Sequence, residues 1–230
     1  MRTILFIVFG VMLQNVAFCQ GTVVFNNRIG ASSTAAPGIV IAPLYNVDPA
    51  NPSRVQRGNT SVGNPMGTAV YNGAPLAGTG FTATLWGLES SQIVGDDCNN
   101  NLVLIGTTTF RTTTSGNFAG TVSQPASPSV VPGVVNGDQR GEFQMRVWDN
   151  RGGTILTWDQ ALSSGTGFMY SDLFIVPFAL GGTLSPPNTP PNLQGLQSFQ
   201  IALGAPCPEP SLLALGALGG IGLFLFGRRK

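Results

Sequence analysis

Histidine is absent from the 230 residues. That removes the usual general base of a Ser-His-Asp triad, the partner of a catalytic thiolate and the commonest zinc ligand. Charge is scarce as well: charged residues make up 9% of the chain, with one lysine, Lys230, and three glutamates, Glu89, Glu142 and Glu209. These long straight-chain residues are good helix formers, and their scarcity argues against a helical body. Thr, Val, Phe and Asn take their place beside 31 glycines and 17 prolines. That is a composition of strands and turns. The apolar share of 43% is too high for a disordered chain.

The first residues read MRTILFIVFGVMLQNVAFCQG. One cation, Arg2, precedes an apolar run from Ile4 to Leu13, and the small Ala17 sits two positions before Cys19. Basic start, short apolar stretch and small-residue site make a secretory signal peptide of residues 1–19, cut after Cys19. A cut after Ala17 is the alternative. A lipoprotein reading would modify Cys19 but wants a small residue before it, where the chain has Phe18.

At the other end, Ser211 to Phe226 carries no charge and is rich in Leu, Gly, Ala and Phe. As a helix it would be roughly 24 Å long, enough to span a bilayer with local thinning or snorkelling of its flanks. Pro208 and Pro210 bar a helix start before residue 211. Arg228, Arg229 and Lys230 follow the run and hold that end in the cytoplasm, leaving the body outside. Without these targeting segments, the body of residues 20–206 has seven arginines against nine acids, a net charge of −2. No basic patch stands out, so no nucleic-acid partner is expected.

Pro208-Glu209-Pro210, the apolar run and the terminal basic cluster together resemble the PEP-CTERM sorting domain of exopolysaccharide-producing Gram-negative bacteria. The resemblance implies recognition of residues 207–230 by exosortase, a membrane-embedded processing enzyme. It also implies removal of the tail and delivery of the body to the outer surface or extracellular matrix. Cys207 departs from the family, which usually has an aliphatic residue there. Stretches such as QGTVVFNNRIGA, GAPLAGTGFTATLWG and GLQSFQIALG also look like the bodies of exported PEP-CTERM proteins. They imply a shared scaffold and no activity.

The body reads as an all-β domain, a single β-sandwich of jelly-roll or immunoglobulin-like type. Phe81–Gly87 alternates, with Phe81, Ala83 and Leu85 on one face and Thr82, Thr84 and Trp86 on the other. Gly141–Asn150 alternates likewise, with Phe143, Met145 and Val147 inward and Gln144, Arg146 and Trp148 outward. Leu102–Thr113 continues in apolar and β-branched residues, and Ser115–Asn117 marks a turn into Phe118–Val122. Thr22–Phe25, Thr154–Trp158, Leu173–Leu180 and Leu196–Leu203 read as further strands, with Pro177 marking an edge or bulge. Residues 31–65 read as a long surface excursion over one or two edge strands, with a short apolar island at Gly38–Tyr45, and one short helix is placed within Ala161–Tyr170.

Four features of the body invite a chemical reading. Trp86 and Trp148, if exposed on the outer sheet face, would stack on the apolar faces of sugar rings, such as those of an exopolysaccharide. The alternative is that a covering loop buries them. Gly95–Asn101 (GDDCNNN) gathers oxygen donors that suit Ca²⁺, but it lacks the spacing of a known loop and reads equally as a solvated turn. The threonines of Thr107–Thr114 offer sites for O-linked sugar, and Thr is also simply a strand former. Cys98 and Cys207, left after signal removal, either pair in the oxidising exterior or remain free thiols. Without histidine, catalysis would need paired carboxylates of the glycosidase kind. The chain is therefore read first as a non-catalytic surface or matrix protein with no cofactor or metal. A carbohydrate-binding module is second and a carboxylate-based hydrolase third.

Overall fold

The computed structural model describes residues 21–30, 38–135, 139–182, 184 and 187–204. The expected signal peptide, the Pro208-Glu209-Pro210 motif, the apolar run and the basic end all lie outside the described residues. Among the described residues, no helix is long and apolar enough to cross a membrane.

Strands dominate. In chain order they are β1 (Gly21–Val23), β2 (Arg28–Ile29), β3 (Val40–Ile41), β4 (Phe81–Glu89), β5 (Val103–Thr109), β6 (Ser129–Val131), β7 (Gly141–Asp149), β8 (Phe168–Tyr170) and β9 (Phe174–Ile175). One helix, α1 (Trp158–Ser164), sits between β7 and β8.

The two long alternating stretches become the spine. β4 and β7 pair antiparallel without a break, from Phe81 opposite Asp149 to Glu89 opposite Gly141. β5 takes the other edge of β4, with a bulge between Leu85 and Trp86, while β8 and β9 pair with the far edge of β7. Two smaller antiparallel sheets, β1–β6 and β2–β3, accompany this five-stranded one.

Alternation sends Ala83 and Leu85 of β4 and Phe143, Met145 and Val147 of β7 to the inner face, all fully buried. They join Val23, Val40, Leu44, Phe110, Val131 and Phe199 in the larger core cluster. Gly87 faces Phe143 across the ladder, and a Cβ there would come within 2.6 Å of the ring. Glycine thus leaves room for the phenylalanine.

The outer face is not left to water. It is covered by a second cluster in which Trp148, Phe168 and Tyr170 pack against Ile155, Trp158 and Ala161. Thr154–Trp158, expected as a returning strand, instead leads into α1. Thr157 caps the helix, its side chain accepting from the Gln160 amide while Gln160 reaches back to the Thr157 amide, and Gly165 closes it at φ +66°. Reciprocal satisfaction of amides at a helix start outweighs the β propensity of Thr, Ile and Trp in so short a stretch.

The 31–65 excursion does hold an expected edge strand, β3, but it is not confined to the surface. Within residues 38–65, Val40, Ala42 and Leu44 are fully buried and belong to the larger core. The expected last strand is an extended segment held by single bridges. Residues 198–203 run between three neighbours: Tyr45 bonds to Phe199 and Ile201, the 52–58 segment bonds to Ser198, Gln200 and Leu203, and Phe168 exchanges two bonds with Ala202. The Leu173–Leu180 strand is reduced to β9, which stops two residues before Pro177.

Candidate functional site

The outer face of β4 and β7 carries the densest group of polar and aromatic side chains. The ladder sets Thr82 opposite Trp148, Thr84 opposite Arg146 and Trp86 opposite Gln144. Arg146 is central. Its guanidinium carbon lies 4.1 Å from the Trp86 ring centroid and 5.5 Å from that of Trp158. Nε donates to Gln144 Oε1 at 2.8 Å and one terminal nitrogen donates to Asn100 Oδ1 at 3.0 Å. Burial lowers the Arg146 pKa to about 10, against the opposing pull of Asp159 and Tyr170. A guanidinium between two indoles is favourable, because the negative ring faces substitute in part for lost water.

Trp86 is half-buried, and its Nε1 donates to Thr84 Oγ1 at 3.0 Å. Trp148 is a different case. It is 1% exposed, donates Nε1–H to the Ile155 carbonyl at 3.0 Å and meets Trp158 edge to face at 6.1 Å. The two tryptophans share a sheet face, as the alternation requires, but they do not form an exposed platform. Ile155 and α1 fold back over Trp148, because burying a large indole outweighs leaving it wet. The cover is this segment and not the described residues of the 31–65 stretch.

A chain of polar contacts runs from the aromatic cluster to the surface. Arg57 lies over the Tyr170 ring at 4.7 Å and pairs with Asp172 at 2.9 Å. Burial raises the Asp172 pKa; Arg57 pulls it down, while Asp97, which hydrogen-bonds to it, pushes it up. Glu142 is also raised, first by burial and then by Asp97. Asp97 and Asp172 are in hydrogen-bonding contact, closer than the roughly 5–10 Å that separates a glycosidase pair.

The side-chain oxygens of the Gly95–Asn101 loop are taken up by amides of the loop and of neighbouring segments and by Arg146. Asp96 Oδ1 accepts from the amides of Cys98 and Asn99, Asp97 Oδ1 accepts from the Leu173 amide, and Asn101 bonds to Gln92 and Val94. These bonds, led by that from Asn99, hold the Asp96 carboxyl below its ordinary pKa. Among the described residues no group of three or more acidic or cysteine side chains is arranged to hold a metal ion. Cys98 is disulfide-bonded, and the other two cysteines, Cys19 and Cys207, lie outside the described residues. Its sulfur has no proton to give, so the Tyr170 hydroxyl 2.9 Å away is the donor.

Beside this cluster an open groove of about 500 Å³ follows β5, lined by Leu104, Gly106, Thr107, Pro125, Ser129 and Pro132. Two of its lining residues pair with β4: Leu104 stands opposite Trp86 and Thr107 opposite Thr84.

The sequence reading missed the partners of Arg146, and it missed α1 as the lid of the outer face. The signal for the lid was present: Thr157 followed three residues later by Gln160 is a capping-box spacing. No protein-family model matches the chain, and neither a curated protein nor a solved structure matches it.

Proposed function

We propose that this chain is a non-catalytic exported protein of the cell surface or extracellular matrix, delivered there by exosortase acting on its tail. The observation that carries this reading is the order Pro208-Glu209-Pro210, uncharged Ser211–Phe226, then Arg228, Arg229 and Lys230, opposite a signal peptide at residues 1–19. The apolar helix halts export and anchors the body on the outer side of the cytoplasmic membrane until processing. The three cations keep the end inside. The prolines keep the approach to the helix extended, which suits a peptide-cleaving site, and Glu209 gives that site its one charge.

The described body is consistent with this role. We read it as one β-sandwich of jelly-roll or immunoglobulin-like type. The support is that the inner face of the five-stranded sheet packs on Val23, Val40 and Val131 of the two smaller sheets. Once a signal peptide carrying Cys19 is removed, Cys207 is the partner left in the chain for Cys98, joining the body to the edge of the tail.

The test is the mass and location of the mature chain in a host carrying exosortase. Glu209→Ala should leave insertion intact and trap the uncut form in the membrane. Neutralising Arg228, Arg229 and Lys230 should instead let the tail slip through. Wild-type protein that keeps residues 211–230 there would make the tail a permanent anchor and end the sorting reading.

A second reading, binding of exopolysaccharide, now rests on Trp86 alone. The observation that favours it is the open β5 groove, where Leu104 lies opposite Trp86. By analogy with stacking on bases, Trp86→Ala should weaken polysaccharide binding by about 1–3 kcal/mol.

A further inference from the structure

Two arginines far apart in sequence meet on one phenylalanine. The Arg28 guanidinium carbon is 5.3 Å from the Phe118 ring centroid and that of Arg111 is 5.0 Å from it. The two charge centres therefore lie within about 10 Å of each other, inside one Debye length at moderate ionic strength. Neither forms an ion pair; among the described residues the pairs are Arg54–Asp48 and Arg57–Asp172. In a body with more acids than cations, two arginines brought together without a carboxylate call for an explanation.

Their placement is built into the core. Asn27, fully buried, donates to the carbonyls of Ala42 and Gly120 and accepts from the Val122 amide. This amide locks the strand residue next to it, Arg28, against the 110–122 hairpin. Arg28 is fixed further by its own amide, which donates to Asn26 Oδ1. Across the hairpin, the Arg111 amide donates to the Thr121 carbonyl and its Nε reaches the Val122 carbonyl at 3.4 Å. Phe118, 49% exposed, ends the short 3-10 turn Gly116–Phe118 at the hairpin tip. Burial without a carboxylate partner lowers the Arg28 pKa.

From this geometry we infer a binding site, formed by Arg28, Arg111 and Phe118, for the carboxylates of an acidic polysaccharide. Guanidinium forks match carboxylates in shape and bind them more selectively than a point charge would. Two positioned forks take two charged groups along a chain or clasp one from both sides. The surrounding tip is rich in exposed hydroxyls and an amide, from Thr112, Thr113, Thr114, Ser115 and Asn117, which suits a polyhydroxy chain. A nucleic acid fits poorly, since two cations on an acidic body neutralise too few phosphates for useful affinity. The site shares no residue with the Trp86 cluster and stands whatever that tryptophan does.

The experiment measures retention of the purified full chain on polygalacturonate, neutral dextran and single-stranded DNA, at low and moderate salt. Expected are binding to polygalacturonate that weakens with salt, little to dextran, and weaker binding to DNA. Arg28→Gln and Arg111→Gln should each weaken polygalacturonate binding about tenfold or more, the worth of one charge-assisted hydrogen bond. Arg140→Gln, at an exposed arginine outside both this cluster and that of Trp86, should leave it unchanged. Melting curves check that the variants fold; if Arg28→Gln does not, Arg111→Gln decides alone. Failure of wild type to bind polygalacturonate, equal binding of dextran, tighter binding of DNA, or a folded Arg111→Gln that binds as wild type would each overturn the inference.

Discussion

Trp148→Ala separates a core tryptophan from a ligand platform, and its cost can be worked from the contacts. An indole buries roughly 150–250 Å², which at about 25 cal/mol per Å² is about 4–6 kcal/mol as an upper bound. Measured truncations of buried Phe and Trp run about 3–5 kcal/mol, and part of that is the cavity left behind. The Ile155 carbonyl also loses the Trp148 Nε1–H donor, and Trp158 loses its edge-to-face neighbour. About 3–5 kcal/mol is the expectation, a melting shift near 10 °C for a body of this size. Trp148→Phe should recover part of it by keeping ring volume without the hydrogen bond. Urea denaturation followed by fluorescence and circular dichroism reads both variants. Trp86→Ala, removing a half-buried ring, should cost clearly less. A Trp148→Ala protein within about 1 kcal/mol of wild type would refute the claim that the Asn150–Ser164 segment seals the outer face.

Thr157→Ala removes the side chain that caps α1 and should lower stability by about 1 kcal/mol, seen as a melting shift of about 2–4 °C; no shift would mean that the helix is held by Trp158 and Ala161 alone. Asp48, 2% exposed, accepts from the Ala50 amide, Asn72 and Arg54, and these bonds, led by that from Ala50, hold its pKa down. A lowered native pKa means stability that is present above the ordinary aspartate range and lost as pH falls through the native value. Asp48→Asn should therefore flatten the acid limb of a stability–pH curve, and an unchanged slope would count against it. Residues 20–206, expressed without the tail, should give a folded monomeric β-rich body, since both apolar clusters are drawn from residues within 21–204. An aggregate under mild conditions, beside full-length protein that folds in detergent, would show that the tail contributes to the core.

The two long strands were legible because period two over nine residues leaves few other readings. Phe143, Met145 and Val147 all face the inner core. The same alternation told which side Trp148 faces but not what lies over it. That depends on a contact with α1, whose first turn was hidden by β-branched residues leading to its cap, so that the helix was expected from Ala161 rather than Trp158, running on into what is β8. Val40, Ala42 and Leu44 were misread for a related reason. Proline and serine around them suggest a surface loop, yet three small apolar residues at alternate positions suffice to enter a core. Arg146 was placed on the correct face by pattern alone. Its stacking on Trp86 needs the β4–β7 register, which no local signal sets. The Arg28–Phe118–Arg111 meeting depends on Asn27, whose value lies in three bonds to distant backbone.

The bridged segment 198–203 has a mechanical consequence. It is bonded to Tyr45, to residues 52–58 and to Phe168 together, so a pull applied at Gly204 is shared among bonds to three separate stretches of the chain. Forced unfolding is governed by the height of the unfolding barrier, and a grip that must slip as a whole raises that barrier. A body tethered by this end would hold its shape under flow or surface drag.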